Sequence, residues 1–424
     1  MRRALFLCLL VCPSLAAQVA PIPSATALPS SPFFIKQTWY IGGTGEWDYL
    51  TLDPKAERLF IAHGTEVQVV DVTSGSLVGQ ISGFRQAHAI ALDDTGEYGY
   101  VSDGPAGAIR VFNRSRLEIE ATISIGCSPR SIAFESQSRL LFAICSATSA
   151  TPATATPSSQ SRQSASRARA TSQRNSPEPS NEPGISHVVA IDAESRSIAA
   201  DMTIAGDFRF AQPDDDGRVY ASVGAADHYV VVGRETIRET LPPRIARFDA
   251  LAIAAEGKEG PLQLDWSRGN KPTSLMRFLP LRSDCKDPQG LAVDGKHERL
   301  FAECGNQRLA VLDANTGNGI AALTTGPGGN VLAYDAANNL IFSANGEGYG
   351  SLTIIRQDPN TDSYAVIQNL PTKERARTIA VDPSTGDVYL VTDYNGVDLT
   401  KQGGIGTLRA EPVAGSFQVL TVGR

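Results

Sequence analysis

The sequence predicts an all-β chain: a seven-bladed β-propeller of four-stranded antiparallel blades, its ring closed by an N-terminal strand that joins the last blade. Three observations lead to this prediction. A strand pattern recurs seven times at a spacing of roughly 40 residues, which is the length of a propeller blade. In each copy an apolar strand leads through a polar turn into a second strand with an aromatic near its start. The last copy lacks a fourth strand, and an early segment of the chain has no first strand before it.

The first strand is the clearest part of each repeat, and every copy ends in an acidic residue. The copies are WDYLTLD (47–53), AHAIALD (87–93), PRSIAFE (129–135), FRFAQPD (208–214), PQGLAVD (288–294), NVLAYD (330–335) and ARTIAVD (376–382). An acid that opens a turn can accept hydrogen bonds from the turn's amides. A structural role is therefore predicted for Asp53, Asp93, Asp294, Asp335 and Asp382.

The two ends of the pattern predict how the ring closes. The segment SFQVLTV (416–422) reads as a third strand with no fourth strand after it, and FFIKQTWYIGG (33–43) has no first strand before it. Pairing these two segments would complete one blade and remove the exposed sheet edges that invite aggregation.

The third strands carry a resemblance to a known family. EVQVVDVTSG (66–75), RLAVLDANTG (308–317) and the stretch YVSDG (100–104) resemble the YVTN-type, or YncE-like, bacterial β-propeller repeat proteins. The resemblance covers nearly the whole chain after its N-terminal segment. It implies the propeller fold, and it implies no particular activity because family members are mostly scaffold-like.

A single propeller is expected over residues 32–424, with three departures from the repeat. Residues 146–184 in blade 3 are rich in Ser, Thr, Ala, Pro and Arg and are expected to be disordered. Blade 4 carries an insertion at about 224–260 whose second half could form a short helix, and blade 7 has a long loop at about 393–415. All three are expected between second and third strands, and so on one face of the ring.

The N-terminus predicts export. Arg2 and Arg3, the apolar run 4–11 and the small-residue site Ser14-Leu15-Ala16 are typical of a secretory signal, predicted over 1–17 and followed by a linker over 18–31. No later segment has the ~18 apolar residues of a membrane span. A periplasmic or extracellular bacterial protein, monomeric, is expected. Loss of the two arginines takes the formal net charge from −7 to −9, which disfavours nucleic acid as a partner.

Four cysteines lie outside the predicted signal peptide. They have two possible roles, as reactive or metal-binding thiols or as disulfides. CSPRSIAFESQSRLLFAIC (127–145) and CKDPQGLAVDGKHERLFAEC (285–304) share one layout. Each first cysteine precedes a first strand and each second cysteine ends a second strand, and antiparallel pairing brings those two points together. In an exported chain this predicts the disulfides Cys127–Cys145 and Cys285–Cys304.

A candidate binding site follows from aligning the first strands on their final acid. Five positions upstream, where innermost strands enter the central channel, every blade has a polar residue. We call these residues the mouth ring: Asp48, His88, Arg130, Arg209, Gln289, Asn330 and Arg377. A solvated rim would tolerate such residues without a function. Alternatively, three arginines suit an anionic or polyhydroxylated small ligand, or an acidic peptide.

Aromatic residues flank two members of the mouth ring. Trp47 and Tyr49 surround Asp48, and Phe208 and Phe210 surround Arg209. Strand alternation predicts that all four point into the packing between blades rather than into the channel.

A binding or scaffold protein without chemistry of its own is the preferred function. No haem-attachment, zinc-pair or phosphate-loop motif occurs, so neither a cofactor nor a metal is predicted. The alternative is a metal-dependent, lactonase-like hydrolase with Asp48, His88 and Asn330 around the ion, although three nearby guanidiniums would repel a cation. Electron transfer with a quinone or haem rests on analogy with other propellers alone.

Overall fold

The structure is a computed structural model that describes residues 32–43, 45–145, 184–232, 235–267, 273–397 and 410–424. Residues 32–424 form one compact unit, an all-β ring of seven antiparallel blades. The predicted signal peptide and linker, nearly all of the blade 3 insertion and the middle of the blade 7 loop lie outside the described residues. No helix in the described ranges is long and apolar enough to cross a bilayer.

Each blade consists of an inner, a second, a third and an outer strand, as predicted. The inner strands are Trp47–Asp53, Ala87–Leu92, Pro129–Glu135, Asp207–Pro213, Pro288–Asp294, Gly329–Asp335 and Ile379–Val381. The second strands are Arg58–His63, Tyr98–Asp103, Leu140–Cys145, Arg218–Gly224, Arg299–Cys304, Leu340–Asn345 and Val388–Thr392.

The third and outer strands complete each sheet. The third strands are Glu66–Asp71, Ala108–Asn113, Ile185–Asp192, Arg244–Asp249, Arg308–Asp313, Ser351–Asp358 and Gln418–Gly423. The outer strands are Leu77–Ser82, Glu118–Ser124, Ser197–Ala205, Met276–Pro280, Gly319–Thr324, Ser363–Pro371 and Phe34–Tyr40.

The last blade closes the ring with both ends of the described chain, which confirms the predicted closure. The outer strand Phe34–Tyr40 pairs antiparallel with the third strand Gln418–Gly423. Trp39 packs on Tyr389 of the second strand, with ring centroids 5.8 Å apart. The blade would lack its outer strand without this N-terminal segment.

The core lies between blades, because each sheet buries both of its faces against its neighbours. The recurring aromatic of the second strand is buried in every blade: Phe60, Tyr100, Phe142, Tyr220, Phe301, Phe342 and Tyr389. The predicted turn acids are also buried, and their Oδ1 atoms accept from turn amides. Asp53, Asp294 and Asp382, for example, accept from residues two or three positions later at 2.8–3.2 Å. The predicted structural role of these acids is confirmed.

The insertion in blade 4 is not the single segment that the sequence predicted. A hairpin of Ala226–Val232 and Glu235–Leu241 lies between the second and third strands, as expected. The third strand then follows at Arg244–Asp249, inside the predicted insertion. Helix Ala250–Glu256 comes after it, and therefore starts from the opposite face of the ring. The prediction was wrong here because RIARFD lacks the apolar alternation of the other third strands.

The later part of this excursion changes the neighbouring blade. After the helix and a 3-10 turn (Gly257–Glu259), strand Leu262–Trp266 pairs in parallel with the outer strand Ser197–Ala205 of blade 3. Blade 3 is therefore five-stranded, unlike the four-stranded blades that the repeat predicts.

The cysteines pair as predicted. Cys127 and Cys145 form one disulfide, with Cα atoms 5.9 Å apart, and Cys285 and Cys304 form the other, at 5.3 Å. Both connect the segment before an inner strand to the end of the second strand of the same blade. Both therefore lie on the face where the inner strands begin, which is the face of the channel mouth.

Replacing Cys285 and Cys304 with alanine is expected to lower the free energy of unfolding by about 3 kcal/mol, since the bridge closes a loop of 19 residues in the unfolded chain. Urea unfolding of the variant and of the unreduced parent measures the difference. The matched control is the variant in which only Cys127 and Cys145 are replaced. Adding a reductant to this variant opens the Cys285–Cys304 bridge without changing either cysteine. An unchanged midpoint in the Cys285/Cys304 variant would contradict a stabilising bridge.

Candidate functional site

The inner strands are irregular at the mouth of the channel. In six blades the pairing of the inner with the second strand shifts register where the mouth-ring residue stands, for example between Trp47 and Leu50 and between Phe208 and Ala211. Such a bulge leaves a residue outside the ladder and re-aims side chains. In blade 7, Arg377 precedes the short inner strand Ile379–Val381. The mouth ring therefore occupies backbone that the sheets do not pair.

The bulges also change the direction of the flanking aromatics. Trp47 and Phe208 are buried between blades, as predicted. Tyr49 and Phe210 are not confined there, because their ring centroids lie 5.7 Å apart although blade 1 and blade 4 stand on opposite sides of the ring. The prediction was wrong for Tyr49 and Phe210, since simple alternation fails across a bulge. Their contact crosses the channel directly beneath the mouth.

In three other blades the residue at the position of Tyr49 is small and leaves room for the rings of Tyr49 and Phe210. Ala89, Ser131 and Gly290 follow their mouth-ring residues in the same way that Tyr49 follows Asp48. A Cβ atom on Gly290 would lie only 2.4 Å from the carbonyl oxygen of Asn330, so this position requires glycine. The contact between Tyr49 and Phe210 spans the channel at this level, and we call it the floor of the mouth.

Two members of the mouth ring form a pair. His88 Nδ1 lies 2.9 Å from Asp48 Oδ2, and the imidazole stacks on the ring of Tyr49 with centroids 5.7 Å apart. The carboxylate and the aromatic ring together hold the imidazole in one orientation. Thr378 Oγ1 donates to the carbonyl of Asp48 at 3.0 Å, which ties the same bulge to blade 7.

A third member of the ring, Arg209, is already neutralised. Its guanidinium lies 2.8 Å from Asp207 Oδ2 and 2.6 Å from Asp287 Oδ1 of the next blade. Gln289 donates to the same Asp287 carboxylate at 2.9 Å. Arg209 therefore offers less to an anionic ligand than the sequence suggests, because alignment of the ring positions alone omits these two carboxylates.

Arg130 and Arg377 differ from Arg209. Within the described ranges, neither guanidinium has a carboxylate within ion-pair distance; Arg377 instead lies over the ring of Trp47, 5.3 Å from its centroid. Both act on the tyrosine beneath the mouth. Burial raises the pKa of Tyr49 and the charge of Asp48 raises it further, while Arg130 and Arg377 lower it. Two cations without a carboxylate partner in the described ranges therefore lie close enough to Tyr49 to lower its pKa.

Sequence reasoning missed a second layer of functional candidates. Two positions before each mouth-ring residue stand Glu46, Gln86, Ser128, Asp207, Asp287, Gly328 and Arg375, which we call the upstream ring. Arg375 pairs with Glu46 at 2.6 Å within this ring. The same alignment on the strand-final acid would have found it, because six of its seven members are polar.

The two rings line two cavities at the mouth. The larger, of 440 Å³, lies along blades 5 to 7 and is lined by residues that include Gln289, Asn330 and Arg377. The smaller, of 340 Å³, lies between blades 2 and 3 and is lined by residues that include His88, Ser128 and Arg130. The two arginines without carboxylate partners thus belong to different cavities. No group of three or more His, Cys, Asp or Glu side chains arranged to hold a metal ion occurs among the described residues.

The fold and the mouth together define a seven-bladed β-propeller. Its channel entrance is polar, and the contact between Tyr49 and Phe210 lies beneath it. The chain is similar to the solved structure of U3-55K, with a TM-score of 0.56 and 9% sequence identity over 93% of this chain and 99% of that chain. At this identity the likeness concerns the fold alone. No protein-family model and no curated protein matches the sequence.

Proposed function

We propose that this chain is an exported binding protein of the YVTN type whose channel mouth holds a small anionic ligand, without chemistry of its own. The observation that carries the proposal is the pair Arg130 and Arg377, two guanidiniums that lack a carboxylate partner in the described part of the chain and border the floor formed by Tyr49. A guanidinium in such a place is suited to a carboxylate or phosphate of a ligand.

The frame around the mouth favours binding. The two disulfides hold the hairpins of blades 3 and 5 at this face, and the hairpin of Ala226–Val232 and Glu235–Leu241 rises beside it. A rigid rim loses little conformational entropy when a ligand binds. Disulfides also suit an oxidising compartment, which supports export.

Replacing with alanine the arginine of the cavity that the ligand occupies, Arg377 in the larger or Arg130 in the smaller, is expected to weaken binding of a carboxylate or phosphate ligand by about 10- to 100-fold. This is the loss of one charge-assisted hydrogen bond. A thermal-shift screen of small carboxylates and phosphates on the parent protein finds the ligand, and calorimetry compares the variants. The control is Arg116→Ala, which removes an exposed guanidinium from the opposite face. If both mouth variants bind every such ligand as tightly as the parent does, the site is elsewhere.

A further inference from the structure

The larger cavity at the mouth differs from an ordinary ligand pocket in its lining. Such pockets are lined mostly by apolar side chains. Of the residues around these 440 Å³, five are glycines and the others are Asp287, Gln289, Asn330, Glu347, Glu374, Arg375 and Arg377. None has an apolar side chain. A ligand here therefore meets several hydrogen-bonding side chains, and an apolar molecule would leave them unsatisfied.

Some polar side chains of this lining are bonded to other side chains, and others, within the described part of the chain, are not. Asp287 is occupied by Arg209 and Gln289, and Arg375 by Glu46 and Asp393. In the described part of the chain, the side chains of Asn330, Glu347, Glu374 and Arg377 have no hydrogen-bond or ion-pair partner. The unused set consists of two carboxylates that accept, one amide that does both and one guanidinium that donates.

The complementary ligand donates to two carboxylates and carries an acceptor, best an anion, for the guanidinium. Adjacent hydroxyl groups meet the first requirement and a carboxylate meets the second. Gly346 packs closely against Arg377, since a Cβ atom there would lie 2.8 Å from Cβ of Arg377. A sugar acid has both kinds of group on one ring.

An exposed aromatic directly follows a lining residue of this cavity in the chain. Tyr349 is 96% exposed in the loop after the second strand of blade 6, one residue beyond the lining residue Gly348. A tyrosine ring offers a rigid apolar face with a polar tip at low entropic cost. The face of a sugar ring is formed by C–H groups, and it suits such a surface while the hydroxyls point to the cavity.

We propose that the larger cavity binds an acidic carbohydrate, with a uronate carboxylate on Arg377, hydroxyl groups on Asn330, Glu347 and Glu374, and a sugar ring stacked on Tyr349. This assignment rests on the proposed function, because it places the anionic ligand of the mouth in one cavity and names its chemical class.

Binding of uronic-acid disaccharides, namely galacturonate, glucuronate and mannuronate dimers, is the test, measured by calorimetry beside the neutral galactose and mannose disaccharides. The parent protein is expected to bind at least one acidic disaccharide about 10- to 100-fold more tightly than its neutral counterpart. Arg377→Gln is expected to abolish that preference and to leave the neutral affinity unchanged.

The other groups are expected to affect both forms of the sugar. Glu347→Gln and Tyr349→Ala should each weaken acidic and neutral disaccharides by about tenfold. Tyr40→Ala, which removes a 71% exposed tyrosine from the outer strand of blade 7, is the matched control and should change neither.

Each other outcome has a defined meaning. If simple carboxylates bind through Arg130 and Arg377 but no disaccharide binds, the proposed function stands and the carbohydrate assignment is wrong. Equal affinity for acidic and neutral sugars, or binding of a zwitterionic dipeptide in place of sugars, also overturns it. Loss of binding in Tyr40→Ala would show that the variants act through the fold.

Discussion

Replacing Arg114 with methionine is expected to lower the free energy of unfolding by about 3–5 kcal/mol, the loss typical of a buried ion pair with one partner removed. Arg114 is 7% exposed and joins two blades. Its Nη2 pairs with Asp53 Oδ2 of blade 1. Its Nη1 donates to the carbonyl oxygen of Asp93 in blade 2 at 3.0 Å and lies 3.5 Å from Oδ1 of the same residue. The variant would leave two buried carboxylates without their cation, and urea unfolding measures the loss.

Arg116→Met is the matched control, because Arg116 lies two residues away with its side chain 58% exposed and pairs with Glu120 at the surface. A change below about 1 kcal/mol is expected there. Adding Asp53→Asn to Arg114→Met should recover part of the loss, since one uncompensated charge is removed. An Arg114→Met protein as stable as the control would show that Arg114 does not hold the two blades together.

Replacing Glu303 with glutamine is expected to stabilise the protein by about 3 kcal/mol at pH 8 and to have little effect at pH 5. Glu303 is fully buried at the boundary of blades 5 and 6. Burial raises its pKa to about 7, and hydrogen bonds from Thr325 at 2.7 Å and Ser343 at 2.8 Å oppose that rise only in part. No cation is bonded to this carboxylate within the described ranges.

The sign follows from proton binding. Between the ordinary glutamate pKa, about 4.5, and a value of about 7, the folded chain binds the proton and the unfolded chain releases it. Glu303 therefore costs stability as the pH rises through this window, and the cost stays constant above it. Glutamine has no such titration, so the pH profile of the variant should be flatter than that of the parent.

Denaturant unfolding from pH 4.5 to pH 8 measures both profiles. Glu298→Gln, at an exposed position of the same blade, is the control and should run parallel to the parent. If the difference between the parent and Glu303→Gln does not grow between pH 5 and pH 7, Glu303 is not a buried acid that titrates in this window.

The regular parts of the fold were predictable because they depend on local periodicity. The seven inner strands, the buried aromatic of each second strand and the turn acids recur in every repeat, so each copy supports the others. Ring closure and cysteine pairing followed from the same alignment, since they require only that equivalent positions of a blade meet.

Where the repeat is broken, prediction from the sequence was poorer. RIARFD falls inside the insertion predicted at about 224–260, although it is the third strand of blade 4, because its polar residues hide the alternation of a buried strand. The parallel addition of Leu262–Trp266 to blade 3 has no counterpart in another blade, so no alignment within the chain could reveal it.

The sequence by itself determined the blade count, the closure, the disulfides and the positions of the mouth ring, since all of these repeat with the blade. Only the tertiary structure decided what the mouth contains. The bulges turn Tyr49 and Phe210 into the channel, and Asp287 of the next blade neutralises Arg209 while Arg130 and Arg377 keep their charge without a carboxylate partner in the described ranges. These contacts join residues of different blades across the ring, and a pattern read along one strand does not contain them.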